Sequence, residues 1–156
     1  MPKNISMEDE RPVTVTVLLV ILFIVAVGYF AWSGYGVVNY FLSKTFAVET
    51  NYTFLDFLAG IVTIIASIIL FVGSIFAWKM KRLTPTLMVS ASFGFLIKNL
   101  LEIIDVIVRL AKLGVVQRYD IMSASAEIGK NIFHVGFWIY VAIFFSVAAY
   151  KDKLMD

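Results

Sequence analysis

The sequence predicts an all-α integral membrane protein, a four-helix transmembrane bundle with both termini cytoplasmic. Three observations lead there. Apolar residues make up 61% of the chain and charged residues 15%, against about half and about a quarter in soluble domains. With a mean hydropathy of +0.91, a globule of 156 residues would lack the polar surface to stay dissolved. The apolar residues also gather into four long segments, each enough to cross ~30 Å of hydrocarbon as a helix of ~20 residues. This length fits a single domain.

Residues 1–12 form a predicted N-terminal cytoplasmic tail, with Glu8, Asp9 and Glu10 directly before the first apolar run. A secretory signal has a basic flank and a short apolar core, so an uncleaved first span is expected. That span covers about 13–35 and holds no charge. Val13 to Val17 alternates like a strand, but an isolated strand in lipid would leave its backbone groups unpaired, so a helix is expected. Tyr29, Trp32, Tyr35 and Tyr40 cluster toward its far end, as aromatic residues do at a headgroup boundary.

Gly36 to Thr53 reads as a connection, with a possible glycosylation acceptor at Asn51 in Asn51-Tyr52-Thr53. The second span, 54–78, is charged only near its edge, at Asp56. Ala59, Ala66 and Gly73 recur every seven residues, as do Gly60, Ser67 and Ser74, a stripe suited to close approach by another helix. Lys79, Lys81, Arg82 and Pro85 separate it from the third span, about 86–112. A turn around Gly114 to Tyr119 leads to the fourth, 123–150, and residues 151–156 form a C-terminal tail with no lipidation or retention pattern.

Loop charges set the orientation. With both termini inside, the cytoplasmic side holds Lys3, Arg11, Lys79, Lys81, Arg82, Lys151 and Lys153, and the outside holds Lys44, Lys112 and Arg118. Seven against three favours that arrangement. The expected localisation is a membrane, most simply the cell membrane, and lipids are the immediate partners.

Composition also narrows function. The chain has no cysteine, which removes disulfides, thiolate metal sites and thiol nucleophiles. One histidine, His134, cannot supply a bis-His haem or a His-rich zinc site from a single chain. A net charge of +2 with no basic run gives no footprint for nucleic acid. The chain has no nucleophile elbow, HExxH, Walker A or GxGxxG pattern. Expected cofactors are none, and a non-catalytic role leads.

The third span carries the most chemical information. Lys98, Glu102, Asp105, Arg109 and Lys112 are spaced four, three, four and three apart, an arc of about 80° on a helix. Glu127, Lys130, Asn131, His134 and Trp138 share an arc of about 100° on the fourth. Folded antiparallel about residue 118, the two stripes would bring Arg109 to Glu127, Asp105 to Lys130 and Glu102 to His134. A charge near the bilayer centre costs ~2.5–3.5 kcal/mol on insertion scales, so the stripes should be buried in protein or water. Three cations (Lys98, Arg109, Lys130) and three anions (Glu102, Asp105, Glu127) balance, which suits a structural network better than a one-sign filter. Three roles compete. The charges lock the helices together, or Glu102, Asp105 and His134 relay protons or cations, or the stripe meets another subunit or a lipid headgroup.

The leading functional expectation is an accessory or scaffold subunit of a membrane complex, joined to other membrane subunits or to copies of itself. The alternative is a small oligomeric channel or transporter with its path along the charged face of the third and fourth helices.

Overall fold

The computed structural model describes residues 13–46, 53–79, 83–112 and 118–150. They form four α-helices in chain order: α1 (Val13–Phe46), α2 (Phe54–Trp78), α3 (Thr84–Lys112) and α4 (Arg118–Tyr150). α1, α2 and α4 are long and apolar enough to cross a membrane. α3 is not in that group, although its 29 residues reach about 44 Å at 1.5 Å per residue.

Local chemistry sets several boundaries. Thr53 caps α2, its hydroxyl accepting from the Asp56 N–H at 3.0 Å while the Asp56 carboxylate accepts the Thr53 N–H at 2.9 Å. This reciprocal pair satisfies two backbone donors at the helix start. Pro85 sits in the first turn of α3, where a missing N–H leaves no helix bond unmade.

Two boundaries differ from those read in the sequence. α1 does not end near Tyr35 but continues to Phe46, through the segment expected to be a connection. The added turns carry aromatic side chains that packing rewards. Tyr40 stacks on Phe57 at 4.6 Å, and Phe41 meets the same ring edge-on at 5.3 Å. α4 begins at Arg118 rather than Ser123, within the stretch expected to turn.

The helices pack in sequence, α1 on α2, α2 on α3 and α3 on α4, each pair antiparallel. Phe23 against Phe71 and Tyr40 against Phe57 fix the first register. Gly94 against Ala66 and Asp105 against Thr53 fix the second. Phe95 against Trp138 and Arg109 against Glu127 fix the third. The backbones of α1 and α4 do not approach as closely as the sequential pairs, although side chains of both helices enter the same core.

Small residues let α2 sit between two neighbours. A Cβ on Gly94 would lie 2.7 Å from the Ala66 Cβ, and one on Gly60 would lie 2.9 Å from Val37 Cγ2 of α1. Three hydroxyls within the packed region are satisfied by their own helix: Thr63 donates to Ala59 O, Ser74 to Leu70 O and Ser92 to Met88 O. That internal bond lets a polar side chain stay inside without a partner on another helix.

The apolar core occupies the half of the bundle where α2 leads to α3. It contains Leu19, Leu22, Ala26, Leu70, Met88, Phe95, Trp138, Val141 and Phe145. Charge gathers in the other half, where α1 leads to α2 and α3 to α4. On α3 the division is sharp, because Phe93, Ile97, Leu100, Ile104 and Ile107 form an exposed apolar stripe while Lys98 and Asp105 are turned inward and buried.

Candidate functional site

Helix α3 places its charges on one face by spacing alone, and its neighbours divide them into two groups. The first group is a clamp around Arg109. One guanidinium nitrogen, Nη2, lies 2.5 Å from Asp105 Oδ2, 3.9 Å from Glu127 Oε1 on α4 and 4.0 Å from Asp56 Oδ1 on α2. Thr53, the α2 cap, donates its hydroxyl to Asp105 Oδ1 at 2.6 Å. Asp105 is 1% exposed, and the Arg109 guanidinium and the Thr53 hydroxyl are the polar groups that face its carboxylate. One cation thus draws carboxylates from three helices to a single point.

The second group lines a cavity of about 210 Å³ bounded by all four helices. α1 contributes Tyr29, Trp32 and Ser33, and α2 contributes Asp56, Ala59 and Thr63. α3 adds Lys98 and Glu102, and α4 adds Lys130 and His134. Lys98 Nζ donates to Glu102 Oε2 at 2.6 Å, approaches Asn99 Oδ1 at 3.4 Å and lies 5.6 Å from the centre of the Tyr29 ring. The ammonium is therefore surrounded by a carboxylate, an amide oxygen and an aromatic ring, each of which stabilises a buried cation.

An aromatic floor lies between the charges and the apolar half. Phe95 stacks on Trp138 at 4.1 Å with 7° between planes, and Tyr29 meets Phe95 at 5.0 Å. Beyond this floor the described core side chains are apolar, apart from small hydroxyl residues such as Ser67, Ser74, Thr84 and Ser92. No described ionisable side chain lines the buried interior there, so the polar lining is one-ended.

Of the cross-helix pairs expected from the sequence, Arg109 does lie beside Glu127. Asp105 pairs with Arg109 and Thr53 instead of Lys130. Glu102 pairs with Lys98, and shares the cavity with His134 rather than an ion pair. Asn131 is fully buried, and neither of its side-chain polar atoms has a protein partner. Lys130 is exposed at the cavity wall. Asn51 lies outside the described residues.

The sequence reading missed Asp56 and Thr53 as members of the network. Their signal was present in the Thr-x-x-Asp spacing ahead of an apolar run, the pattern of a capping box. With Asp56 included, the inward charges number four carboxylates (Asp56, Glu102, Asp105, Glu127) against three cations (Lys98, Arg109, Lys130), so the balance moves from neutral to one net negative. Asn99, 1% exposed, was also missed, and so was the α1 wall of Tyr29, Trp32 and Ser33. Among the described residues no group of three or more His, Asp and Glu is arranged to hold a metal ion.

No family model, curated protein or solved structure matches the chain. The class is therefore defined by fold and site alone. It is an all-helical chain with three helices long and apolar enough to cross a membrane and a polar cavity at one end of the bundle.

Proposed function

We propose that this chain is a non-catalytic, four-span membrane protein that serves as a subunit of a membrane assembly, with the Arg109 clamp as its internal fastener. The observation that carries this reading is the clamp itself. A guanidinium that gathers Asp105, Asp56 and Glu127 from three helices uses its charge to hold α2, α3 and α4 in register. α3 takes its place as a span through its two faces, the exposed stripe of Phe93, Ile97, Leu100, Ile104 and Ile107 meeting lipid while the charges turn to protein. Burying the charges this way avoids the several kcal/mol that each would cost in hydrocarbon.

In this orientation both termini are cytoplasmic and the polar half faces outward. Native mass spectrometry after gentle extraction from the original membrane tests the subunit role. A stable mass containing further polypeptides or further copies supports it, and a lone monomer removes it. A cysteine placed at Asn51 should label from outside the cell. Labelling at Lys81 instead would invert the topology.

A second reading, a small channel or transporter, draws on the cavity, because ionisable side chains lining intramembrane cavities commonly mark ion or solute paths. The aromatic floor weighs against an open pore in this conformation. Cation or proton flux through the reconstituted protein, lost on Glu102→Gln, would place this reading first.

A further inference from the structure

We infer that the cavity is a binding site for an anionic oxygen group, a carboxylate or a phosphate, held between Lys130 and His134. The ligand's apolar portion would lie against Tyr29 and Trp32. This goes beyond both functional readings and depends on neither.

The inference follows from which cavity groups already have partners. Both acids do. Glu102 receives Lys98 at 2.6 Å. Asp56 accepts the Thr53 backbone N–H at 2.9 Å and has Arg109 at 4.0 Å. The bases of α4 do not. Among the described residues Lys130 has no ion-pair partner, and His134 Nδ1 is buried without a hydrogen bond. Trp32 adds an indole N–H, which can only donate. A cation entering here would meet Lys130, and the two carboxylates of the lining each already face a base. An anion would meet an ammonium and an imidazole able to donate, and charge-assisted bonds of that type are the strong ones.

Size and access limit the ligand. A cavity of about 210 Å³ equals roughly seven waters at ~30 Å³ each, enough for a compact head with a short apolar body. The lining of α2 and α3 is closed, with Ala59, Thr63 and Lys98 buried, whereas Trp32 is 75% exposed and Lys130 is exposed. The mouth therefore opens where Trp32 of α1 and Lys130 of α4 are exposed. A lateral opening of this kind admits the headgroup of an acidic amphiphile from lipid, and a water-soluble acid reaches the same donors from the polar end.

Radiolabelled dodecanoate binding to the purified full chain in detergent tests the site, with butyrate, inorganic phosphate and dodecylammonium as competitors. Saturable dodecanoate binding is expected, weakened at least tenfold by Lys130→Gln and by His134→Phe, and unchanged by Lys44→Gln. Lys130→Arg, which keeps the charge, should restore binding and guards against a folding defect in the Gln variant. Competition by butyrate or phosphate would assign the site to a soluble anion, and competition by neither, with dodecanoate still bound, to an acidic lipid. Equal competition by dodecylammonium would overturn the inference. So would unchanged binding in both Lys130→Gln and His134→Phe, or no saturable binding at all. Such a failure would leave the subunit reading in place, because that rests on the Arg109 clamp.

Discussion

Gly94 on α3 meets Ala66 on α2 at the tightest glycine contact in the described bundle, and exchanging the two residues tests the packing directly. In Gly94→Ala the new Cβ would lie 2.7 Å from the Ala66 Cβ and 3.5 Å from its Cα. Carbon atoms rest about 3.5–4.0 Å apart, so α2 and α3 must separate locally by roughly 1 Å. Neither methyl has a side-chain torsion that could move it aside. Overpacking of this kind costs about 1–3 kcal/mol. Helix propensity favours Ala over Gly by up to ~1 kcal/mol, leaving a net loss of about 0–2 kcal/mol. Ala66→Gly alone should lose a similar amount, about 1–2 kcal/mol, through its backbone propensity and its buried methyl. The double variant moves the methyl across the same interface and cancels the propensity terms. It should fall within about 1 kcal/mol of the parent, a coupling well outside additivity. Reversible unfolding in mixed dodecylmaltoside and dodecyl sulfate micelles, followed by far-UV circular dichroism, reads all four proteins. A gain of stability in Gly94→Ala, or strict additivity in the double variant, would show that the helices are not this close.

The remaining predictions concern the polar half. Asp105→Ala should destabilise by about 2–4 kcal/mol, below the upper range for a broken buried pair because the Arg109 side chain is 41% exposed. Asp105→Ala combined with Arg109→Ala should cost less than the sum of the two singles in the same unfolding assay, since the buried Asp105 carboxylate is then not left behind without its cation. Thr53→Val removes both the α2 cap and the bond to Asp105 and should cost about 1–2 kcal/mol, with Thr53→Ser near parental. Asn131→Leu should be neutral or stabilising by about 1 kcal/mol, because it replaces an unpartnered buried amide with an apolar group of similar size. A loss of more than 1 kcal/mol there would mean that the amide has a partner in the working protein.

Much of the architecture was legible in the residues themselves. Four long apolar segments and the scarcity of charge dictate helices, because only a helix satisfies every backbone group within its own segment in lipid. The four-three spacing from Lys98 to Arg109 places those charges on one face whatever surrounds them. The seven-residue recurrence of small residues marked α2 as the helix that others approach, and Gly60, Ala66 and Gly73 are indeed at close contacts. Thr53 and Asp56 were equally readable as a capping box, yet their service to α3 was not, since a cap pattern describes one helix end and not its neighbour.

Tertiary packing decided the rest. Spacing puts Lys98, Glu102, Asp105 and Arg109 on one face but does not choose their partners. Within α3 an acid and a base four residues apart reach each other without help, and two such pairs, Lys98–Glu102 and Asp105–Arg109, displaced cross-helix pairs that the antiparallel register also allowed. Sequence could not show that α1 continues to Phe46, because its last turns are held by Tyr40 and Phe41 against Phe57, contacts that exist only once α2 has folded back. Nor could it show that Phe95, Trp138 and Tyr29 stack together as a floor beside the charges. A cavity is a property of surfaces brought together from four helices, and no single helix's periodicity contains it.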